Sequence, residues 1–435
     1  MKIFLKPLIL SVFIMVLVPA RAQTPLSVSN AVDTALLRNF ELRIARNNLN
    51  IARQENTFGM AGSLPQVSAS GNTTLSVNNT SQQYEDESDI SSSGVGEHSL
   101  VLGLSGSMTL FNGFKIVATK ERLNLLETRG EIQLNHQIQT VVADVMLSYY
   151  DIVRQQSYLE IIRQTVEVSE EKFAIAELRK NIGMADAVET LQAASDLNTA
   201  RQQMEMQEMM ITQSFNTLVN LINLHNKEGF VLTDTISLDT AISSDSVMFA
   251  LNRNLQLLSS ETDVSVYRQL LKETKAERYP SLKLNAGYDF FNNNFNKGNL
   301  ITSRTYGPWA GVSLQIPVFN GFVLSTRKET AEIRLLNARL EKERLMNDLT
   351  ESARNLFAFY STAISLIEEQ RSNLVMSAKL LEVVLKQYHL NQATILEVKA
   401  AQSSYENAAY QLTNLIYSAK SAEIGLKQLT NSLIF

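Results

Sequence analysis

The sequence repeats itself, with related segments following in the same order in its first and second halves. The residues ALLRNFEL at 35–42 resemble ALNRNLQL at 250–257, an offset of 215. LFNGF at 110–114 matches VFNGF at 318–322, an offset of 208. Since several matches in one order are improbable by chance, the chain consists of two long copies, 28–225 and 244–430, rather than a solenoid array.

Each copy begins with a segment of helical character, 28–60 and 244–277, and continues with two stretches of strict alternation. In the first stretch Val67 and Leu75 fall on one side and Ser68 and Ser76 on the other. A period of two predicts strands with one apolar and one polar face. We place them at about 66–78, 99–110, 281–291 and 308–318. Each has about the ten residues of a tilted membrane-spanning strand.

The segments between the paired strands are polar. Residues 79–98 contain five acidic residues and no lysine or arginine, and residues 292–303 are rich in asparagine. Both are predicted to be solvated loops.

After each strand pair the periodicity becomes helical, with an apolar residue every seven positions. This seam holds Ile138, Val145, Ile152, Leu159, Val166 and Phe173, and its counterparts lie 208 residues later. A seven-residue period predicts left-handed supercoiled packing. We expect helices at about 115–182, 187–224, 323–390 and 395–430, and the two longest would each measure roughly 100 Å.

The first 22 residues have the features of a secretory signal peptide. Lys2 and Lys6 precede an apolar run that ends in Ala20-Arg21-Ala22, a small-x-small cleavage pattern, so we expect maturation near Gln23. Removing this segment leaves 36 basic against 44 acidic side chains. An acidic mature chain disfavours nucleic acid as a partner.

The composition favours neither catalysis nor a bound cofactor. The sequence has no cysteine, which excludes disulfides, a thiolate nucleophile and a lipidated cysteine anchor. Its histidines have no paired spacing and suggest no metal site: His98, His136, His225 and His389. We recognise no nucleophile–base motif, so the chain is not expected to be an enzyme.

Four membrane-length strands cannot close a barrel by themselves, because about eight are needed. Open strand edges are not tolerated in lipid, so the chain must oligomerise. A dimer would supply eight strands and a trimer twelve. The expected architecture is mainly α with membrane β, a barrel continued by a helical cylinder or bundle.

This order of elements resembles the TolC family of outer-membrane efflux proteins, over essentially the whole mature chain. Three sets of motifs carry the resemblance. They are Leu64-Pro65 and Tyr279-Pro280 before the strand pairs, the two Asn-Gly pairs at 112–113 and 320–321 where strand passes into helix, and the stretch 388–401. The resemblance implies a homotrimer with a twelve-stranded barrel in outer-membrane lipid and a helical tunnel through the periplasm. Its partners would be a periplasmic adaptor (membrane fusion) protein and an inner-membrane transporter.

The sequence departs from the family pattern at several places. Thr109 stands at the first junction where the family usually has proline, as at Pro317. Many relatives begin with a lipidated cysteine, and this sequence has none. We therefore expect an outer-membrane protein with a periplasmic extension that is not lipidated.

The helical turns have two possible roles. Gly183 and Asn391 can adopt the left-handed conformation that ends many helices. The segments from Asp186 to Glu189 and from Thr394 to Glu397 have the pattern of capping boxes. The resemblance instead implies that Glu189 and Glu397 contribute to an acidic ring at a periplasmic constriction. A second acid of that ring is absent, because Ala400 stands in its place. Both readings stay open, and they are compatible.

Other conspicuous residues favour structural roles. Asn112, Gly113, Pro317, Asn320 and Gly321 would redirect the chain from strand to helix. Tyr306 and Trp309, placed near a strand start, suit either a membrane-interface girdle or a buried strand end. The run Met204, Met206, Met209 and Met210 is attributed to helix packing rather than copper binding. The terminal Phe435 resembles the last residue of many barrel proteins.

We interpret the chain as a passive channel of an efflux or secretion system, with no chemistry of its own. A wide water-filled duct leaves selection to the pump, so drug, metal and protein export fit equally. The rival interpretation is a periplasmic coiled-coil scaffold or adhesin without a pore, which the heptads alone would permit.

Overall fold

The computed structural model describes residues 24–83, 85, 89–184, 186–224, 230–298 and 300–433. The predicted signal peptide, His225 and Phe435 lie outside these residues. Both halves of the described chain have the same order of elements, namely a short strand, helices, a pair of long strands and two long helices.

The largest helices repeat with the offset of 208 residues found in the sequence. The first pair is α3 (Lys115–Asn181) and α7 (Val323–His389), each of 67 residues. The second pair is α4 (Ala187–Leu221) and α8 (Ile395–Leu429), each of 35 residues. Equal lengths at a constant offset show that the duplication extends to the structure.

Each copy begins with two helices, where the sequence predicts one. The first copy has α1 (Val28–Arg38) and α2 (Phe40–Glu55). The second has α5 (Ser244–Ala250), a 3-10 turn (Leu251–Arg253) and α6 (Leu255–Ala276). The breaks fall at Asn39 and Asn254, which are equivalent and buried. Each has an extended backbone, with ψ 133° at Asn39 and 128° at Asn254, and donates its side-chain amide to a carbonyl at the end of a later helix, Leu221 or Leu429.

The four long strands form one antiparallel sheet in the order β2-β3-β5-β6. They are β2 (Gln66–Gln83), β3 (Asp89–Phe111), β5 (Ser281–Phe295) and β6 (Thr302–Gln315). Much of the two segments predicted as loops, 79–98 and 292–303, is strand. The ladder continues through their serines and asparagines, since backbone pairing does not require apolar side chains; Ser81 pairs with Ser91 and Asn294 with Thr302.

A second, parallel pair was not predicted. It joins β1 (Thr24–Leu26) to β4 (Phe230–Leu232). Tyr149, fully buried on α3, donates its hydroxyl to the Leu26 carbonyl at 2.8 Å. Three-residue strands carry too little periodicity to be recognised in a sequence.

Contacts divide the chain into two compact units, each of which takes segments from both repeats. That residues 23–435 form a single domain built of the two repeats stays a prediction. One unit holds the chain up to Asn39 with Asp144–Leu238 and Ala363–Ser421. The other holds Phe40–Ala143, Asp239–Thr362 and the chain from Ala422 onward, including the whole four-stranded sheet. Local sequence patterns carry little information on such a division, because α3, α7 and α8 each contribute residues to both units.

The heptad seam contributes to the core of the first unit. In the first unit Val166 packs with Leu197 and Ala200, and Phe173 and Met204 lie against them. Met206, Met209 and Met210 are exposed, so the helix-packing interpretation holds for Met204 alone. No helix in the described part of the chain is long and apolar enough to cross a bilayer.

Candidate functional site

The long helices of the first unit end in two similar turns. Gly183 (φ 75°) and Asn391 (φ 60°) both adopt the left-handed conformation. The Met184 amide donates to the Arg179 carbonyl at 2.8 Å, and the Gln392 amide to the Gln387 carbonyl at 2.8 Å. These bonds satisfy carbonyls that a helix end leaves free.

The helices that follow are capped in different ways. The Asp186 carboxylate accepts bonds from the Val188 and Glu189 amides, each at 3.0 Å. At the second turn Thr394 and Glu397 form a reciprocal capping box, in which Glu397 accepts from the Thr394 amide at 2.7 Å. Bonds from the amide and hydroxyl of Thr394 lower the pKa of the exposed Glu397 carboxyl. Glu397 is therefore committed to its own helix start.

Glu189 has other partners. Its Oε1 accepts a bond from the Tyr388 hydroxyl at 2.7 Å and lies 3.2 Å from Nη1 of Arg179. The Arg179 guanidinium also donates to the Tyr388 carbonyl and lies 4.2 Å from the centre of its ring. We call Arg179, Glu189 and Tyr388 the turn cluster. It ties α3, the start of α4 and the end of α7 together.

The turn cluster is largely shielded from water. Tyr388 is fully buried and Arg179 nearly so. Burial, followed by the hydrogen bond to Glu189 and the charge of that carboxylate, raises the pKa of the Tyr388 hydroxyl. The hydroxyl thus remains a donor over the whole physiological range. Because the carboxylate and guanidinium are held at low dielectric, removing one partner would leave an unpaired charge.

A second charged group lies further along the same helices. Lys172 on α3 is fully buried and contacts Asp196 on α4 at 2.8 Å. Lys399 on α8 contacts the other oxygen of Asp196 at 2.7 Å. Burial opposes ionisation, but the bonds from the two lysines outweigh it and lower the pKa of the Asp196 carboxyl.

Sequence reasoning did not single out Arg179, Tyr388, Lys172 or Asp196 as site residues. A signal for two of them exists, because Thr165, Lys172 and Arg179 recur every seven residues beside the apolar seam and all three are buried. A polar row with the period of the core marks side chains that need partners inside a helical bundle.

The four-stranded sheet has two distinct faces, which the pairing register defines. One face is apolar and exposed, as with Leu75 and Leu104, which are 80% and 53% accessible. The other carries mainly serine, asparagine and glycine, and Ser68 and Ser105 bond across it. Exposed apolar rows of this length are unusual on water-facing sheets and mark a membrane or protein contact.

Tyr306 and Trp309 lie within β6 rather than at its start, and on opposite faces. Tyr306 stacks with Phe290 of the apolar face, with ring centres 6.5 Å apart. Trp309 pairs with Gly287 and covers it on the polar face. Since both cannot belong to one lipid-facing girdle, that role stays a proposal for Tyr306 only.

The strand-to-helix junctions are alike in backbone. Gly113 and Phe114 both have φ 67°, and Gly321 and Phe322 have 64° and 67°. The Asn112 side chain accepts from the Ile116 amide at 3.2 Å, and the Asn320 carbonyl accepts from the Val323 amide at 3.4 Å. Pro317 follows the end of β6 at Gln315. The two consecutive left-handed residues turn the chain from strand to helix.

A model of the outer membrane efflux protein family matches residues 31–224 and 248–432, one stretch for each repeat. The chain belongs to this family. The resemblance inferred from the sequence is thereby confirmed, and so is the predicted TolC-like fold, mainly helical with strands. The trimer with a twelve-stranded barrel stays a prediction. The members of the family are efflux channels rather than enzymes.

This outer membrane efflux protein is similar to TolC of Vibrio cholerae, at 21% identity over 87% of the chain and 84% of that protein. It is 22% identical to the cation efflux system protein CusC of Escherichia coli, over 92% of the chain and 85% of that protein. Among solved structures, the CmeC outer membrane channel of Campylobacter jejuni aligns with a TM-score of 0.77 at 16% identity, covering 93% and 85% of the two chains. These likenesses extend across both repeats.

Proposed function

We propose that this chain is one subunit of a homotrimeric, passive outer-membrane channel that works with a periplasmic adaptor and an inner-membrane transporter. The observation that carries the proposal is the sheet, whose apolar face is exposed along four long strands and whose edge strands are β2 and β6. In lipid, those edges must be paired. Pairing β2 of one copy with β6 of the next satisfies them and closes a barrel.

Three copies suit this sheet better than two. An eight-stranded barrel has an interior that side chains fill, whereas more strands leave room for water. The polar face carries mostly small side chains, which suit a wet lumen of twelve strands. The coiled-coil scaffold is disfavoured, because it would leave the apolar rows in water. We further propose that residues 1–22 are removed on export and that the mature protein is held in the membrane without a lipidated cysteine.

The test is a reconstitution of the purified protein. Heat-resistant trimers on a gel, together with discrete single-channel conductance in planar bilayers, are the expected result. A monodisperse trimer that inserts into no bilayer and conducts no current would favour the scaffold instead.

We also propose that the turn cluster acts as a latch that holds the periplasmic end closed, with Glu189 rather than Glu397 as its acid. The support is the separation of roles between the two glutamates. Glu397 completes a capping box, while Glu189 joins three helices through Tyr388 and Arg179. A contact that joins helices must change when they separate, whereas a cap inside one helix need not.

The latch is tested with Tyr388→Phe, which deletes only the hydroxyl that binds Glu189. We expect a higher closed-state conductance in bilayers and greater antibiotic leakage in cells. Glu397→Gln is the matched control, since it alters an equivalent turn without touching the cluster. Equal conductance of Tyr388→Phe, Glu397→Gln and the wild type would show that the cluster only stabilises the fold.

A further inference from the structure

Trp309 occupies an unusual place on the polar face of the sheet. Its six-membered ring lies over Gly287, so close that a Cβ there would meet ring atoms at 2.8 Å. The flanking residues on the same face of β6 are Gly307 and Gly311, with open space where a Cβ would stand. The indole is 41% exposed. The indole ring thus packs over one glycine and is flanked by two others. Its remaining surface is exposed toward the predicted lumen.

An acidic side chain lies beside it. Asp289 is two residues beyond Gly287 on β5 and therefore shares its face, diagonal to Trp309 and about 7 Å from it. Its carboxylate projects over Gly103 of β3, on the side of β5 opposite to Trp309; a Cβ on Gly103 would come within 2.9 Å of Oδ1 and 3.3 Å of the Ser70 hydroxyl oxygen. These contacts bring no cationic side chain to the Asp289 carboxylate.

A second aromatic residue follows on the same strand. Phe291 alternates with Asp289 and lies on the same face, paired with Val101 and Thr305. Its side chain is also exposed. Along this face the order is an indole, a carboxylate and a phenyl ring. Lys283, the basic residue of β5 on this face, is six residues from Asp289, about 20 Å along the strand.

From this arrangement we propose a binding site for organic cations on the lumenal face, formed by Trp309, Asp289 and Phe291. An aromatic or quaternary-ammonium cation would stack on the indole, which attracts positive charge through its ring face, while the carboxylate balances the charge. The proposal rests on the channel function, since only barrel closure makes the polar face a lumen. In a trimer the site occurs three times around the duct and favours cationic cargo in transit.

The chain offers a direct probe, because Trp309 is its single tryptophan. Intrinsic fluorescence of the purified trimer in lipid nanodiscs therefore reports this position alone. Quenching by cationic N-methylnicotinamide is compared with quenching by neutral nicotinamide. One unit charge about 7 Å away in water changes the local concentration of a cation about threefold, and we expect that ratio of quenching constants at low salt.

The expected ratio falls to near one in Asp289→Asn. The matched control is Glu97→Gln, which removes an acid of the same face six residues from Gly103, and it should leave the ratio unchanged. A ratio near one in the wild-type trimer, or the same ratio in Asp289→Asn as in the wild type, would overturn the site.

Lipids with brominated acyl chains are used as a third quencher. They should quench Trp309 weakly, and strong quenching by them would place the indole in lipid and overturn the site. Conductance of the same preparation tests the channel separately. If the trimers conduct but show no preference for the cationic quencher, the binding site is contradicted and the channel function stands. If the trimers do not conduct, the proposed function itself is contradicted.

Discussion

At the scale of single residues, the two junction glycines have equivalent places in the repeats and unequal surroundings. Gly113 packs against the chain before β5, where a Cβ would lie 2.6 Å from Cβ of Tyr279 and 2.7 Å from the Ala276 carbonyl oxygen. Gly321 has open space around it. Tyr279, which belongs to the Tyr-Pro pair before the second pair of long strands, thus packs against the first strand-to-helix junction.

We predict that Gly113→Ala destabilises the protein more than Gly321→Ala. Both substitutions place a Cβ on a left-handed residue, at a cost of roughly 1–2 kcal/mol. Only the first also forces a backbone shift, which adds roughly 1–3 kcal/mol. Thermal unfolding of the two variants measures the difference. Equal melting temperatures would show that the chain before β5 yields to the added methyl group.

Asn254 joins two elements through one side chain. Its Oδ1 accepts from the Gln256 and Leu257 amides at the start of α6, and its Nδ2 donates to the Leu429 carbonyl at 3.0 Å. Asn254→Ala removes both functions and should cost about 2 kcal/mol. Asn254→Asp keeps the cap and loses the donor, so an intermediate loss of unfolding free energy is expected. If Asn254→Asp matched the wild type, the bond to Leu429 would contribute nothing.

At the scale of elements, packing between helices of the first unit includes the buried pair Lys172–Asp196. The pKa of Asp196 is lowered in the folded protein, so its contribution to stability is present above its ordinary pKa, near 4. That contribution is lost as the pH falls through the lower, folded value. The salt bridge therefore makes this helix packing sensitive to acid.

We predict that Asp196→Asn costs about 3 kcal/mol at neutral pH, because the buried Lys172 loses its ion-pair partner. The deficit should shrink below about pH 4, where the carboxyl becomes neutral first in the unfolded wild-type chain and then, at lower pH, in the folded protein. Melting curves recorded by circular dichroism from pH 7 to pH 2.5 measure this difference in stability between the variant and the wild type. Asp348→Asn, at an exposed position on α7, is the control and should track the wild type at every pH. A deficit that did not change with pH would contradict the ionic origin.

At the scale of the whole molecule, the two faces of the sheet determine where the protein can assemble. Leu102 and Leu284 lie on the apolar face, and Ser105 on the polar one. An arginine on a lipid-facing strand costs roughly 2–4 kcal/mol at the bilayer midplane, whereas a lumenal arginine is solvated. An arginine is therefore expected to be tolerated on the polar face and to disrupt assembly on the apolar face near the midplane.

Leu102→Arg and Leu284→Arg are expected to reduce trimer in the outer-membrane fraction strongly, and Ser105→Arg to leave it near the wild-type level. Cell fractionation followed by gels without heating measures the three variants together. Equal recovery of all three would contradict the assignment of the apolar face to lipid.

Strand and helix types follow from local patterns, since alternation of period two and heptads are properties of neighbouring residues. The limits of the strands do not, because the ladder extends through polar residues such as Ser91 and Asn294. The breaks at Asn39 and Asn254 were missed for a similar reason, since their partner carbonyls lie 182 and 175 residues away. The opposite faces of Tyr306 and Trp309 could have been read from their spacing of three.

The sequence by itself determined the duplicated order of elements, the apolar and polar sides of the strands and the family, because each of these is written in periodicities and short motifs. Only the tertiary structure decided which turn residues act together. Glu189 and Glu397 have the same local context, yet Glu189 meets Tyr388, 199 residues away, while Glu397 binds its own helix start. The capping bond is local and visible in the sequence, whereas the partner of a buried charge is set by how distant helices pack.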